Sequence, residues 1–338
     1  MLRFLLRRIG QAVAVVAGVI LLTFVIQRVI PGDPAVAAVG PKASLEQLAQ
    51  ARHDFGLDQS LPIQLWNYAV GLLHGDLGTS LHTHQAVRHD LGAAFPASLE
   101  LVGAGIVLAA LIGVPAGVLA ARYRRRSADA AIRVNSMLAV SVPTFWFALV
   151  LQELFATKLG WFPVAGEYTS SLDQTSPLHI YTNMTLLDSL ITGNWPIFTS
   201  LIDHLVLPVI VVAAYPAGVI AQLTRAALIE EITQDHTRME RSLGFSERSV
   251  LLRFSMRPAL NPVLSVAALV FAYSIVNTFL VESVFNWPGL GSYAVDAIRS
   301  SDTPAIAGVT LLVASTYVVL NLLVDLVQSM VDPRVRLS

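Results

Sequence analysis

The sequence predicts an all-α, polytopic membrane protein with six transmembrane helices. Of its 338 residues, 54% are hydrophobic and only 13% are charged, whereas an average soluble domain has about 25% charged residues. Six apolar runs are each long enough to cross the hydrocarbon core, which takes about 20 helical residues. Because they lack the polar alternation of barrel strands, they are predicted to be helices. The runs are Ile9–Ile30, Ala97–Ala121, Ile132–Ala156, His204–Thr224, Pro258–Phe285 and Pro304–Met330.

The first run follows a basic stretch, so a cleaved signal peptide is the alternative to a span. Arg3, Arg7 and Arg8 supply the basic residues, and Ala35–Ala37 offers a weak small-residue cleavage site. A secretory apolar core has about 7–15 residues, whereas this run is long enough to cross a bilayer. The length favours an uncleaved first span.

The distribution of basic residues predicts the orientation. When six spans alternate from a cytoplasmic N-terminus, most of the 22 Lys and Arg residues fall in cytoplasmic segments, as the positive-inside rule requires. Both termini are therefore expected in the cytoplasm. This topology divides the chain into a cytoplasmic N-terminus with the first span (1–30), a long external loop (31–96) and a transmembrane core (97–338). Within that core, 157–203 is an external loop and 225–257 is a cytoplasmic loop.

The external loops carry local signals of their own. Ser44 is placed to cap a helix over Ser44–Arg52, and Ile63–Leu73 also has a helical pattern. The second loop is rich in Ser, Thr, Asp and Asn around Thr169–Pro177, which predicts irregular surface structure.

The cytoplasmic loop 225–257 has the pattern of a helix, a glycine turn and a second helix. Gly244 is a natural helix stop, and Ser246 followed by Glu247 is a natural helix start. Residues at alternating spacings of three and four predict one apolar helix face before the stop. The residues of that face are Ile229, Ile232, His236, Met239 and Leu243.

Two interpretations of this loop remain open, a helix lying at the lipid headgroups and a docking site for a protein. A headgroup helix concentrates Lys and Arg on its polar face, whereas this loop mixes in acidic residues, which favours a protein partner. The acidic residues are Glu230, Glu231, Asp235, Glu240 and Glu247.

The chain carries no nucleotide-hydrolysing P-loop, which needs Gly-Lys followed by Ser or Thr. The lysines, Lys42 and Lys158, follow Pro41 and Thr157. If transport is driven by ATP, the ATPase is a separate polypeptide. Enzyme signatures such as His-Glu-x-x-His and Gly-x-Ser-x-Gly are also absent, as is cysteine. A net charge of −1 gives no reason to expect nucleic acid as a partner.

Polar residues near or within the runs are the remaining candidates. The histidines of the first external loop form either a metal site or ordinary surface, and the surface interpretation is favoured. Acidic residues inside spans either pair structurally or line a cargo path, and in-span prolines permit kinks or are static packing features. The histidines are His74, His82, His84 and His89, the acidic residues Glu100, Glu153 and Asp325, and the prolines Pro115, Pro143, Pro208 and Pro216.

An ordered set of short motifs carries a family resemblance from one end of the chain to the other. The motifs are Arg7-Arg8, Pro31-Gly32-Asp33-Pro34, Gly56-Leu57-Asp58, 75–80 (GDLGTS), 96–101 (PASLEL), 141–146 (SVPTFW), Thr224-Arg225, 282–291 (ESVFNWPGLG), 321–325 (NLLVD) and 332–336 (DPRVR). In this set the chain resembles the first of the two permease subunits of bacterial oligopeptide/dipeptide/nickel ABC importers.

The resemblance implies a type I ABC importer permease in a bacterial plasma membrane, without an ATPase site, metal or cofactor of its own. It implies as partners a second permease, two ATPase subunits that use ATP and Mg²⁺, and an external binding protein that delivers peptides. The loop 225–257 aligns with the family's ATPase-coupling element and departs from the family pattern at His236, Glu240, Ser242, Leu243 and Pro258. The coupling residues expected are Asp235, Arg238, Glu240, Arg241, Gly244, Phe245, Ser246 and Arg257, and the cargo-path candidates are Glu100, Glu153, Asn277 and Glu282.

Three alternatives remain. The cargo is nickel or another small solute instead of peptides, the chain is a secondary transporter that works without ATP, or it is a structural scaffold. A secondary transporter is expected to show inverted repeats and broken helices with midplane charges, a pattern that the sequence does not show.

Overall fold

The computed structural model describes residues 2–29, 43–54 and 56–331, together with Val36 and Val39. The motifs at 31–34 and 332–336 and the side chain of Asp325 lie outside the described residues. Within the described part the secondary structure is helical, with one isolated bridge between Thr79 and Ala86. The helices are α1 (Leu2–Val29), α2 (Leu45–Asp54), α3 (Leu61–Leu73), α4 (Val87–Arg122), α5 (Ser127–Ser141), α6 (Thr144–Leu151), α7 (Leu172–Thr175), α8 (Thr185–Thr192), α9 (Trp195–Ile232), α10 (Asp235–Ser242), α11 (Glu247–Ser249), α12 (Met256–Phe285), α13 (Leu290–Arg299) and α14 (Thr303–Val331).

Five helices in the described residues are long and apolar enough to cross a membrane, and a bent helix pair supplies a sixth crossing if it counts as one span. These six elements coincide with the six apolar runs, which confirms the predicted class of a polytopic helical membrane protein. Several helices continue beyond the run that predicted them. α4 begins at Val87 and α9 extends from Trp195 to Ile232, because hydropathy marks only the part of a helix that crosses the hydrocarbon.

The third run is not one continuous helix, because it is sharply bent at Pro143, one of the prolines that permit a kink. α5 ends at Ser141, α6 begins at Thr144, and their axes differ by 101°. Val142 and Pro143 between them are extended, with ψ of 129° and 126°. A proline disfavours the helical conformation in the residue before it and has no N–H to donate. Pro115 lies within α4, and Pro208 and Pro216 lie within α9.

The chain forms two compact units. The first unit comprises Met1–Phe95 and Gly289–Val319. Its core joins the start of α4 to α13 and α14 through Val87, Leu91, Leu290 and Ala305.

The GDLGTS motif of the first unit is tied to the start of α14. The Ser80 hydroxyl donates to Asp302 Oδ2 at 2.5 Å. The other carboxylate oxygen of Asp302 accepts from the Ala305 N–H at 3.1 Å and so caps α14. Asp302 is fully buried, and its carboxylate therefore fixes a loop and a helix start together.

The helices predicted in the first long loop are confirmed. Ser44 Oγ accepts from the Gln47 N–H at 3.2 Å, and Gln47 Oε1 accepts from the Ser44 N–H at 2.9 Å. This reciprocal pair is a capping box at the start of α2. The second helix, Ile63–Leu73 in the sequence pattern, is α3, with a proline in its first turn.

The second unit comprises Pro96–Pro288 and Leu320–Ser338. Its core includes Leu101, Leu201, Phe285 and Trp287, all almost completely buried. The predicted irregular loop holds two short helices, α7 and α8. The division into 1–30, 31–96 and 97–338 rests on membrane topology and stays a prediction.

Glycines let α4 approach α9 closely within this unit. A Cβ on Gly113 would lie 2.8 Å from the Ala217 carbonyl oxygen, and one on Gly117 would lie 2.6 Å from that of Ala221. Gly105 faces Val212 in the same way, at 2.5 Å. Small residues at such spacing are a common basis of helix association in membranes.

Candidate functional site

The predicted helix–glycine–helix pattern is confirmed over residues 233–257, which we call the helix–glycine–helix segment. α10 ends at Ser242, and Gly244 has φ of +87°, in the left-handed region that favours glycine. Ser246 Oγ accepts from the Ser249 N–H at 3.3 Å and caps α11. A π-helical stretch, Val250–Ser255, then leads into α12. The first residues of the loop predicted at 225–257 instead belong to α9, which ends at Ile232.

The single apolar face predicted for this region is interrupted, so that prediction was wrong. α9 ends at Ile232 and α10 starts at Asp235, which breaks the helical phase between them. Ile229 and Ile232 pack against the core that contains Leu228 and Leu251. Beyond the break, the large apolar side chains of α10 and of the glycine turn are exposed. They are Met239 (63%), Leu243 (64%) and Phe245 (46%).

α10 is fastened to the end of α9. The Thr237 side chain is completely buried and its hydroxyl donates to the Glu231 carbonyl at 2.9 Å. Arg241 Nε donates to Glu247 Oε1 at 2.8 Å, and another guanidinium nitrogen of Arg241 reaches the Ile232 carbonyl at 3.4 Å. Arg241 therefore connects the two sides of the glycine turn to each other and to the end of α9.

The other expected coupling residues of α10 differ from one another in exposure and in the partners of their side chains. Arg238 and Asp235 form an exposed pair at 3.3 Å. Glu240 has a buried carboxylate oxygen, Oε2, for which the described residues provide no hydrogen-bond partner. His236, which departs from the family pattern, lies 3.3 Å from a carboxylate oxygen of Glu231.

Arg257, which follows the glycine turn in the chain, lines a basic cleft. The cleft has a volume of about 360 Å³ and is lined by Arg248, Ser249, Leu252, Arg253 and Arg257. The π-helical stretch widens the helical turn and so brings arginines five residues apart onto a similar face. The cleft can receive carboxylate groups of a partner.

A second region with an open cavity lies at the bend between α5 and α6. It has a volume of about 310 Å³, and every side chain that lines it is uncharged. The polar and aromatic side chains of the lining are Ser141, Thr144, Tyr215, Tyr273, Ser274, Asn277 and Thr278. Tyr215 of α9 and Tyr273 of α12 have their ring centroids 5.6 Å apart.

Of the cargo-path candidates, Asn277 lines this cavity, and the three glutamates lie elsewhere. Glu282 is buried and accepts from the Ser98 hydroxyl at 2.6 Å. Glu100 is also buried and accepts from the Leu186 N–H at 3.0 Å. Glu153 is exposed and lies 3.6 Å from Lys158 Nζ.

An ion pair between α5 and α9 was missed by the sequence reasoning. Arg225 donates from Nε to Asp129 Oδ1 at 2.6 Å and from a terminal nitrogen to Oδ2 at 3.0 Å. Asp129 is 1% exposed. The sequence offered only a weak signal, an acidic residue at the start of the third run, because its partner is distant in the chain.

The loop between α6 and α9 contains two groups with shifted pKa values. Burial raises the pKa of Glu167, and a hydrogen bond with Thr185 opposes that shift. Burial and a hydrogen bond to Asp173 raise the pKa of Tyr168 to about 12. Glu167 therefore carries its charge at a cost in this loop.

Two histidines of the first long loop lie close to polar groups of neighbouring residues. Nδ1 of His74 lies 2.8 Å from the Val70 carbonyl oxygen, and Nδ1 of His89 lies 3.9 Å from Asp90. Among the described residues, no group of three or more His, Asp or Glu side chains is arranged to hold a metal ion.

Two family models together account for most of the sequence. Residues 113–337 match the binding-protein-dependent transport system inner membrane component, and residues 1–102 match the N-terminal part of the same kind of protein. The chain belongs to this family of transport permeases. The assignment confirms the type I ABC importer permease fold that the resemblance implied, and it identifies the chain as a multi-span inner-membrane subunit.

Curated relatives match this permease along its whole length. It is 38% identical over 329 residues to the probable D,D-dipeptide transport system permease protein DdpB of Escherichia coli K12, covering 97% of this chain and 96% of that protein. It is 37% identical to the di/tripeptide transport system permease protein DppB of Pseudomonas aeruginosa, with 99% of each chain covered. The dipeptide transport system permease protein DppB of E. coli K12 is 35% identical, again with 99% of each covered.

Proposed function

We propose that this permease forms half of the translocation path of an ATP-driven importer of di- and oligopeptides. The observation that carries the proposal is full-length similarity to permeases named for dipeptide and tripeptide transport. The remaining subunits are a second permease, two ATPase subunits and an external binding protein. ATP and Mg²⁺ act in the ATPase subunits, and this chain binds no cofactor.

The helix–glycine–helix segment is the proposed contact with an ATPase subunit. It offers exposed apolar side chains at Met239, Leu243 and Phe245, and the same segment contains the basic cleft with Arg257. An apolar centre with charged groups around it suits a protein interface. This location requires the segment and both termini to be cytoplasmic, as the positions of the arginines indicate.

The cavity at the α5–α6 bend is the proposed contact with cargo. Its amide, hydroxyl and aromatic groups can donate to and accept from a peptide backbone without selecting side chains. Nickel is well suited by imidazole ligands, and the cavity lining contains no histidine. The cavity therefore favours peptides over nickel as the solute.

Transport follows from switching between two states. Closure of the ATPases moves the helix–glycine–helix segment, and the helix bundle changes from inward-facing to outward-facing access. Binding protein loaded with cargo then delivers its peptide between this subunit and the second permease. Such coupling requires that ATP and cargo favour different states.

A crosslinking experiment tests the ATPase contact, and because this chain contains no cysteine, an introduced thiol is its single labelling site. Ser246→Cys, labelled with a thiol-directed photocrosslinker on the purified chain before assembly with the other subunits, is expected to capture an ATPase subunit. Ser300→Cys, another exposed serine, is the matched control and should capture none. Failure at Ser246 and at neighbouring exposed positions of the segment would refute the proposed contact.

Uptake by proteoliposomes tests the energy source and the cargo. Vesicles that contain the whole transporter and its binding protein should accumulate labelled Ala-Ala only when ATP is present on the side of the membrane where the ATPases lie. Vanadate should stop uptake, and collapse of ion gradients should leave it unchanged. Uptake that survives vanadate but depends on an ion gradient would identify a secondary transporter.

A further inference from the structure

We propose that the Asp129–Arg225 ion pair transmits movement of the helix–glycine–helix segment to α5, and through α5 to the Val142–Pro143 bend that lines the cavity. Asp129 and Arg225 are then positioning residues for transport. The inference rests on the proposed function, since it takes the segment as the contact with an ATPase. It adds the route by which that contact reaches the cargo path.

The first link joins the segment to α9. Thr237 is buried and bonded to the Glu231 carbonyl, and Arg241 reaches the Ile232 carbonyl. Both acceptors belong to the last turn of α9. α10 therefore cannot move far without moving the end of α9.

The second link joins α9 to α5. Arg225 lies about two turns before the end of α9, and it holds Asp129 through two hydrogen bonds. Asp129 lies in the first turn of α5, where its carboxylate also accepts from the Arg125 N–H at 2.9 Å. Arg133 Nε approaches the same carboxylate at 3.5 Å, from an exposed side chain.

A close backbone approach aligns the same two helices farther along. A Cβ on Gly218 of α9 would lie 2.8 Å from the Ser136 carbonyl of α5 and 3.0 Å from a methyl carbon of Val140. Two separate contacts, one polar and one steric, therefore fix α5 to α9 along its length. A helix held at two points moves as a unit with its neighbour.

The third link places α5 at the cavity. Val140 and Ser141 at the end of α5, with the bend residues Val142 and Pro143, form part of the cavity wall. Tyr273 and Asn277 of α12 line the same cavity. A displacement of α5 relative to α12 therefore changes the width of the cavity at the bend.

The charges of the Asp129–Arg225 pair support a role in addition to stabilising the fold. A buried ion pair contributes little net stability compared with an apolar pair, because desolvation offsets its attraction, but it can fix one arrangement of the parts it joins. The bidentate geometry of Arg225 and Asp129 defines orientation as well as distance. A contact that transmits movement from α9 to α5 needs such a defined orientation and distance.

The test measures the movement of α5 directly in the assembled transporter. Spin labels on Met137→Cys of α5 and Val276→Cys of α12, both exposed positions, report the distance between the two helices with and without ATP and vanadate. In the otherwise unchanged chain the distance is expected to shift on vanadate trapping. In Asp129→Asn the fraction of molecules that shift should fall at least about threefold, within the range by which residues modulate coupling between sites.

Matched variants separate the link from general damage. Arg133→Gln removes the exposed guanidinium beside Asp129 but leaves the bidentate pair, and it should keep the shift. Arg225→Gln should lose the shift, and the double variant Asp129→Asn with Arg225→Gln should be no worse than either single variant, because both remove the same interaction. Arg225→Lys keeps a positive charge beside Asp129 but loses the bidentate geometry, so it should also reduce the shift, and it replaces Arg225→Gln if that variant fails to assemble.

Each outcome has a defined meaning. Loss of the shift in Asp129→Asn, with the Ser246→Cys crosslink to the ATPase retained, supports the proposal. A normal shift in Asp129→Asn, or an equal loss in Arg133→Gln, overturns it. Failure of the proposed function gives a different result. The transporter with the intact Asp129–Arg225 pair would then show neither the Ser246→Cys crosslink nor any change in the α5–α12 distance with ATP.

Discussion

The Ser98 hydroxyl donates a 2.6 Å hydrogen bond to the carboxylate of Glu282. Both side chains are buried, one on α4 and the other on α12. Next to this bond, the Trp287 indole donates to the Ala97 carbonyl at 3.0 Å. Two of the motifs that carry the family resemblance, 96–101 and 282–291, are therefore joined to each other within the second unit, and their polar residues hold helices together.

Ser98→Ala is expected to destabilise the chain by about 1–3 kcal/mol, the usual cost of removing one partner of a buried hydrogen bond. The measurement is thermal unfolding of the purified permease in detergent. Ser283→Ala is the matched control, because Ser283 neighbours Glu282 but is exposed, and its effect should stay within about 0.5 kcal/mol. Equal effects of the two variants would show that the buried bond contributes nothing specific.

Two glycines of α4 are expected to respond to alanine with opposite signs. A Cβ at Gly117 would lie 2.6 Å from the Ala221 carbonyl and from Thr224 Cβ, whereas Gly103 has nothing within 4 Å. Gly117→Ala should cost about 1–3 kcal/mol by forcing α4 from α9. Gly103→Ala should stabilise the helix by about 0.5–1 kcal/mol. Unfolding curves of the two variants measured side by side provide the comparison, and a shared sign would contradict the close packing.

Glu167→Gln is expected to stabilise the protein at neutral and alkaline pH but not in acid. Burial raises the pKa of Glu167, so the folded state binds this proton more tightly than the unfolded chain does. The ionised carboxylate therefore costs stability above its folded pKa, and the cost disappears as the pH falls below its ordinary value. Melting temperatures of both proteins across pH 4–8 test this. A difference that is independent of pH would point to packing instead of charge.

Leu243→Asp is expected to weaken association with the ATPase subunits without lowering the stability of this chain. Leu243 is 64% exposed, and a charge placed in an apolar interface loses water without gaining a partner. The ratio of co-purified ATPase to permease measures the effect, which should reach tenfold or more, about 1.4 kcal/mol. Ile191→Asp on α8 is the control, since Ile191 is 66% exposed and lies outside the helix–glycine–helix segment. Equal losses would argue against a specific contact.

Features that depend on neighbouring residues could be predicted from the amino-acid sequence. Long apolar runs give membrane-spanning helices because the backbone has no other way to satisfy its amides in lipid. Gly244 stops a helix because it adopts positive φ without strain, and Ser44 and Ser246 start helices through their own hydroxyl groups. These outcomes follow from chemistry within a few positions of each residue.

Features that depend on residues distant in the chain could be known only from the tertiary structure. Pro143 breaks its span while Pro208 and Pro216 stay within a helix, because packing against neighbours determines whether a helix tolerates a missing hydrogen bond. Ile232 is packed and Met239 is exposed on what the sequence spacing presented as one face. Asp129 finds Arg225 only when α5 lies against α9. The spacing of residues in the sequence does not show which helices become neighbours. The packing of the helices determines which partners the buried polar groups have.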